Sequence, residues 1–72
     1  MTNTELLNQL IQEKGLKKVF LAKEVGLSPQ GFYNCVHNLA EFRASQIERL
    51  CDLLGVESLE QKEAIFFAGV GA

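Results

Sequence analysis

The stretch that decides the fold is KVFLAKEVGLSPQGFYNCVH, residues 18 to 37. Ala22 is small enough to let two helices cross closely, and Gly26 stands four residues later, where a helix C-terminus often needs positive φ. Ser28 can accept a hydrogen bond from a free N–H at the start of a new helix. Pro29 suits the first helical position because it has no N–H to lose there. The stretch therefore predicts two short helices joined by a tight turn.

The apolar residues of this stretch recur at the spacing expected of two crossed helices. We expect the following side chains to be buried: Val19, Phe20, Val25, Leu27, Phe32, Cys35 and Val36. The remaining side chains of the second helix then form a polar outer face: Gln30, Tyr33, Asn34 and His37. Such a pair of helices is a helix-turn-helix, with bounds of about residues 18 to 38.

The rest of the chain is expected to form three further helices and no strand. The five expected helices span about residues 3–14, 18–25, 29–38, 45–54 and 58–68. Capping boxes are expected where Ser or Thr is followed three positions later by Glu or Gln: Thr2 with Glu5, Ser45 with Glu48, and Ser58 with Gln61. The sequence therefore predicts one all-α domain over residues 1–72, with no linker long enough to divide it.

The length and composition limit the class of protein. A chain of 72 residues, 47% of them hydrophobic, can bury only a modest core. No run of about 18 apolar residues is present, and the polar start MTNTELLNQ lacks the basic segment of a signal peptide. We therefore expect a cytoplasmic protein that does not span a membrane.

The pattern of Ala22, Gly26, Phe32 and Cys35, followed by Leu50 and by Leu54-Gly55-Val56, resembles a known family. It is similar to the lambda-type repressor and Cro-like DNA-binding domains, and more narrowly to short Cro-like regulators of phages and prophages of Gram-positive bacteria. The resemblance covers residues 6 to 59. It implies a compact five-helix domain that binds double-stranded operator DNA through its third helix, as a homodimer. It also implies a Cro-like factor, unless the chain is the N-terminal fragment of a longer repressor.

The net charge by itself argues mildly against DNA, since it is −2 with a pI near 5.2. The charge is unevenly distributed, however. Residues 14–40 carry four lysines against one glutamate, a local charge of +3 that coincides with the helix-turn-helix. A phosphate-binding surface requires such a cluster. The alternative is a lysine face that is merely solvated.

The resemblance makes the third helix the recognition helix. Gln30 and Asn34 lie four residues apart on its outer face, and both amides can offer the paired donor and acceptor that adenine requires. Tyr33 adds a hydroxyl for phosphate and a ring for a thymine methyl group. Pro29 occupies a position where many relatives carry a base-contacting glutamine, but proline has no donor to offer.

Phosphate contacts are expected first from Lys17 and Lys18, because they stand at an uncapped helix start where the helix dipole disfavours cations. The alternative is a suboptimal helix start. The weaker candidates for phosphate contact are Ser28, His37, Asn38 and Arg43. For these residues, helix capping, interaction with the helix dipole or plain solvent exposure explains the pattern about as well.

The last helix carries more apolar residues than one face can bury: Leu59, Ala64, Ile65, Phe66, Phe67, Ala68 and Val70. We expect Leu59 and either Ile65 or Phe66 to complete the core. Phe67 and Val70, with Phe66 as a further candidate, then form an exposed patch for homodimerisation. The alternative is a hydrophobic tail that frays or folds back on its own core.

Catalysis, metals and cofactors have little support in the sequence. There is one histidine, no glycine-rich phosphate loop and no spacing typical of a nucleophile with its base. Cys35, His37 and Cys51 do not have the arrangement of a zinc site, and both cysteines are expected to be buried, reduced thiols rather than a disulfide. No enzyme activity and no small-molecule ligand are expected. The alternative function is a helical protein-interaction module, such as an antirepressor or antitoxin-like factor.

Overall fold

The computed structural model describes residues 1–69 and forms five α-helices over that range. These are α1 Thr4–Lys14, α2 Lys18–Glu24, α3 Pro29–Val36, α4 Ala44–Leu54 and α5 Leu59–Phe66. No strand occurs among these residues, so the predicted all-α, five-helix class is confirmed. Within the same residues, no helix has both the length and the apolar character needed to cross a membrane.

Every helix contributes to one hydrophobic core. The most deeply buried large side chains are Leu7, Leu21, Phe32, Val36, Leu50, Leu54 and Ile65. The loop between α3 and α4 joins this core through Phe42, whose ring meets those of Phe32 and Phe66 edge to face at centroid distances of 5.8 and 5.9 Å. This packing links α3 to α5 through Phe42, so α3 is anchored in the core and its outer face is left at the surface.

The turn between α2 and α3 has the predicted geometry. Ala22 is buried, and Gly26 adopts φ 74°, a left-handed conformation that glycine accepts without strain. The Leu27 N–H donates to the Ala22 carbonyl at 2.8 Å, which closes the end of α2. The Ser28 hydroxyl then accepts from the Gly31 N–H at 3.0 Å and caps α3, with Pro29 in the first helical turn.

The starts of α1 and α4 differ from the predicted capping boxes. Asn3 rather than Thr2 caps α1, because its side chain accepts from the Leu6 N–H at 3.1 Å. At α4 the Gln46 side chain accepts from the Arg43 N–H at 2.8 Å, so the helix begins at Ala44 and the predicted cap at Ser45 was wrong. The predicted cap of α5 is confirmed, since the Ser58 hydroxyl accepts from the Gln61 N–H at 3.1 Å.

The N-terminal segment, residues 1–3, bonds both to the C-terminal part of the described chain and to Asn38, just beyond α3. The Asn3 N–H donates to the Ile65 carbonyl at 2.7 Å, and the Ala68 N–H donates to the Met1 carbonyl at 2.9 Å. Asn38, just beyond α3, has φ 64° and bonds the backbone of Thr2 with both polar atoms of its amide. Because of this left-handed residue, α3 ends at Val36 rather than at the predicted residue 38.

Three apolar residues expected in the core are exposed. Val19 and Phe20 are 65% and 43% exposed, because Leu21 and Ala22 already fill the inner face of the seven-residue α2. Leu59 is 67% exposed, because Ile65 and Phe66 together complete the core beneath α5. Two further bounds differ slightly from the predicted ones, since α2 ends at Glu24 and α5 at Phe66.

Candidate nucleic-acid interface

The outer face of α3 carries two side-chain pairs, each spaced by one helical turn. The Gln30 Nε2 donates to the Asn34 Oδ1 at 2.9 Å, which joins the two amides predicted to contact bases. Beside them the rings of Tyr33 and His37 lie 4.2 Å apart between centroids, with an interplanar angle of 33°. Gln30, Tyr33 and His37 are exposed and Asn34 is half-buried. The predicted polar outer face is therefore present.

The bond between the two amides leaves useful hydrogen-bonding capacity on Gln30. One of its two Nε2 hydrogens bonds Asn34, so the second hydrogen and the Oε1 lone pairs remain free to bind a ligand. A donor and an acceptor on one planar amide match the N7 and N6 of adenine in the major groove. Asn34, bonded through its Oδ1, keeps two Nδ2 hydrogens for a further contact.

The basic residues expected to bind phosphate lie next to this face. Lys17 precedes α2 and Lys18 opens it, both are exposed, and no side chain caps the helix start. Lys18 and His37 line the same shallow depression between α2 and α3. The chain therefore places positive charge and the polar outer face of α3 on one side of the helix-turn-helix.

The one acidic residue in this basic region is neutralised by a partner that the sequence did not indicate. Glu24, in α2, forms an ion pair with Arg49 of α4, and both side chains are partly exposed. An exposed ion pair of this kind adds little stability. It does, however, balance the charge of Glu24, so this carboxylate offsets less of the positive charge of the neighbouring lysines.

Asn38 and Ser28 already have partners within the protein. The Asn38 Oδ1 accepts from the Thr2 N–H at 2.8 Å, and its Nδ2 donates to the Thr2 carbonyl at 2.9 Å. Asn38 therefore has a structural role, and we leave it out of the proposed phosphate contacts. The Ser28 oxygen accepts the capping hydrogen bond, but its hydroxyl hydrogen remains free to donate. Arg43 is exposed in the loop before α4.

The apolar residues near the C-terminus are divided between the core and the surface differently from the prediction. Phe66 is only 4% exposed and packs against Phe42, so it belongs to the core and we leave it out of the proposed dimer interface. Phe67 is 40% exposed, as an interface residue must be. Val70 lies outside the described residues. The sequence missed one member of this surface, since exposed Leu59 joins Lys62, Glu63 and Phe67 around a groove on α5.

Both cysteines are free and buried, as predicted. Burial raises the pKa of the Cys35 thiol and of the Cys51 thiol, so both stay protonated and unreactive at neutral pH. Among residues 1–69, no group of three or more His, Cys, Asp or Glu side chains is arranged to hold a metal ion.

Comparison with known protein families agrees with this geometry. A family model described as the Cro/C1-type HTH DNA-binding domain matches residues 6–60. The chain belongs to the Cro/C1-type helix-turn-helix family. The match spans α1 to α4 and only the first residues of α5, so most of α5 lies beyond it. No curated protein and no solved structure gives a significant match to the chain.

Membership of the Cro/C1-type family confirms the resemblance to Cro-like helix-turn-helix domains. It makes this protein a DNA-binding regulator. Helices α2 and α3, joined by the turn at Gly26, have the geometry of a helix-turn-helix. The exposed face of α3, with Gln30 and Asn34 bonded to each other, is therefore the candidate surface for reading DNA.

Proposed function

We propose that this protein is a Cro-like transcriptional repressor that occupies double-stranded operator DNA through α3. The observation that supports this most directly is the bonded pair of Gln30 and Asn34 on the exposed face of α3, within a Cro/C1-type domain. The major groove of B-DNA, about 12 Å wide, admits an α-helix and displays a distinct pattern for each base pair. Gln30 then reads one base pair, preferably with an adenine, while Asn34 holds its amide and contacts a neighbouring group.

The remaining contacts divide into base-proximal and backbone contacts. Tyr33 and Pro29 lie on the same side of α3 as the major groove, Tyr33 offering a hydroxyl and a ring, and Pro29 only apolar surface. The residues proposed to bind phosphate are Lys17, Lys18, Ser28, His37 and Arg43. Phosphate contacts fix the position and orientation of the protein but carry no sequence information, so they raise affinity for every duplex.

We further propose that the protein binds as a homodimer through α5. The groove on this helix has exposed Leu59 at one end and Phe67 at the other, with Lys62 and Glu63 between them. In an antiparallel pairing about a two-fold axis, Leu59 of each copy meets Phe67 of the other. The two Glu63 side chains then meet near the two-fold axis, and Lys62 of each copy, one position away, pairs with Glu63 of the other and offsets their repulsion.

A dimer gives the proposed function its geometry. Two recognition helices spaced by one turn of DNA, about 34 Å, read two half-sites of an operator. Bound in this way, the protein represses transcription by occupancy alone and needs no catalytic group, cofactor or small-molecule ligand. Such a regulator, encoded by a phage or prophage of a Gram-positive bacterium, acts in the cytoplasm of the host.

Selection from a random duplex pool tests this proposal, followed by titration of the selected site and a scrambled site at several salt concentrations. We expect the selected site to bind at least ~10³-fold more tightly than the scrambled site, and both affinities to fall steeply as salt rises. Absence of binding to any duplex at low salt would contradict the proposal. It would favour a protein-interaction module, such as an antirepressor or antitoxin-like factor.

A further inference from the structure

Gln46, the third residue of α4, is half-buried and forms two hydrogen bonds with its side-chain amide. Its Oε1 accepts from the Arg43 N–H at 2.8 Å, and its Nε2 donates to the Val25 carbonyl at 3.3 Å. Val25 is the C-cap of α2, just before the turn that leads into α3. A single planar amide therefore joins the backbone at Arg43 to the turn of the helix-turn-helix.

The backbone at Arg43 is also anchored from its other side. The ring of Phe42 meets that of Phe32 in α3 at a centroid distance of 5.8 Å. This contact alone leaves the peptide between Phe42 and Arg43 free to rotate, because two backbone torsions set its orientation. The hydrogen bond to Gln46 fixes that orientation. Exposed Arg43 is therefore held at a defined position relative to both α2 and α3.

We propose that Gln46 is a positioning residue, which holds Arg43 so that its guanidinium meets one phosphate in each half-site. The inference rests on the proposed function, in which Arg43 binds the DNA backbone. A long side chain binds phosphate less well if the backbone beneath it must also be ordered on binding. Ordering the backbone of one residue corresponds to about 5- to 30-fold in affinity. Gln46 removes this loss in advance and acts only through Arg43.

A double-mutant cycle on the selected operator tests this inference, with the variants Arg43→Ala and Gln46→Met. Methionine has the length of glutamine but neither of its hydrogen-bonding groups. We expect Arg43→Ala to weaken binding about tenfold, because a charge-assisted phosphate contact is lost. Gln46→Met should weaken it by nearly as much, and the double variant should be no weaker than Arg43→Ala alone.

Arg49→Met is the matched control for this cycle. Arg49 also joins α4 to α2, through its ion pair with Glu24, but it does not bond the backbone of Arg43. A general loosening of α4 from α2 would affect both variants alike. In the Arg49→Met background, we therefore expect Arg43→Ala to keep its full effect of about tenfold.

Methylphosphonate substitution gives a readout that a loss of stability alone would not change. Each phosphate of the operator is replaced in turn by a neutral methylphosphonate. The position where the unmodified protein loses affinity and Arg43→Ala does not identifies the phosphate of Arg43. Gln46→Met should lose its sensitivity at that position and keep it at the phosphate identified in the same way for Lys18.

The outcomes separate this inference from the proposed function. Additive losses for Arg43→Ala and Gln46→Met would overturn the inference and leave Gln46 with only a helix-capping role. Tight operator binding that does not depend on Arg43 would also overturn it, while the proposed function would stand. A Gln46→Met variant that loses sensitivity equally at every phosphate would show that Gln46 supports the whole fold rather than Arg43. Absence of binding to every duplex would remove both proposals.

Discussion

The side chains of Gln30 and Asn34 are joined by a hydrogen bond of 2.9 Å from Nε2 to Oδ1, across one turn of α3. This bond limits the rotation of the Gln30 amide about its long side chain. A glutamine held in one orientation loses less side-chain entropy when it binds a base. Half-buried Asn34 therefore positions the amide of Gln30.

Asn34→Ala is expected to weaken binding to the preferred operator by about 1–3 kcal/mol and to weaken random DNA much less. The reason is that Gln30 loses the partner that orients it. Preference at the base pair read by Gln30 should relax, as measured by competition between operators that differ at that pair. An Asn34→Ala variant that weakens all duplexes equally would show that Asn34 only positions the protein on the backbone.

Lys18→Ala is expected to weaken binding to all duplexes uniformly and to lower the slope of log K against log salt by about one unit. The reason is that one phosphate contact and its released counterion are lost. Lys17→Ala should behave in the same way. Lys14→Ala is the control, because the Lys14 ammonium lies near Gly55 at the end of α4. An unchanged slope for Lys18→Ala would remove that lysine from the proposed contacts.

Asn38→Ala is expected to destabilise the fold by about 1–3 kcal/mol, because it leaves the Thr2 N–H and carbonyl without their partner. Asn38→Gly loses the same hydrogen bonds but accepts φ 64° without strain, so it should be about 1 kcal/mol more stable than Asn38→Ala. Urea denaturation measures both. Operator affinity of the folded variants should be unchanged; a uniform loss on all duplexes would instead restore Asn38 as a phosphate contact.

Phe67→Asp and Leu59→Asp are each expected to turn the proposed dimer into a monomer in sedimentation at micromolar concentration, because a carboxylate is placed in the apolar ends of the proposed interface. Leu39→Asp is the matched control, since Leu39 is 72% exposed and does not line the α5 groove. The charges give a second test. Lys62→Glu and Glu63→Lys should each weaken the dimer, and the double variant should recover it. Folded variants that all share one mass would rule out this interface.

Local features of the sequence were sufficient to predict the turn between α2 and α3. Ala22, Gly26 and Ser28 act through close approach, positive φ and capping, and all three depend on a few neighbouring residues. The outer face of α3 was predicted for the same reason, since helical periodicity alone separates Gln30 and Tyr33 from the core. The Cro/C1-type family was accordingly predictable from a single sequence.

The sequence did not reveal contacts between residues far apart in the chain. It also misled where a residue was assigned to the core only because it is apolar. The partner of Asn38 is Thr2, 36 residues away, and the partner of Arg49 is Glu24, 25 residues away, so no local pattern reveals either pair. Val19 was predicted to be buried because it is apolar, yet a seven-residue helix has only a narrow inner face, which other residues already fill. The bonded state of Gln30 and Asn34 was likewise beyond prediction, since spacing gives proximity but not rotamers.

The most direct test of specific readout by α3 is the ratio of affinities for the selected operator and for a scrambled duplex, measured for Gln30→Ala beside Gln9→Ala. Gln9 is the matched control because it makes the same type of bond, to Glu13 one turn along α1. We predict that Gln30→Ala lowers this ratio roughly 5- to 150-fold, which corresponds to about 1–3 kcal/mol, while Gln9→Ala leaves it unchanged. An unchanged ratio for Gln30→Ala, with the variant folded, would contradict the central claim that α3 reads the operator through this amide.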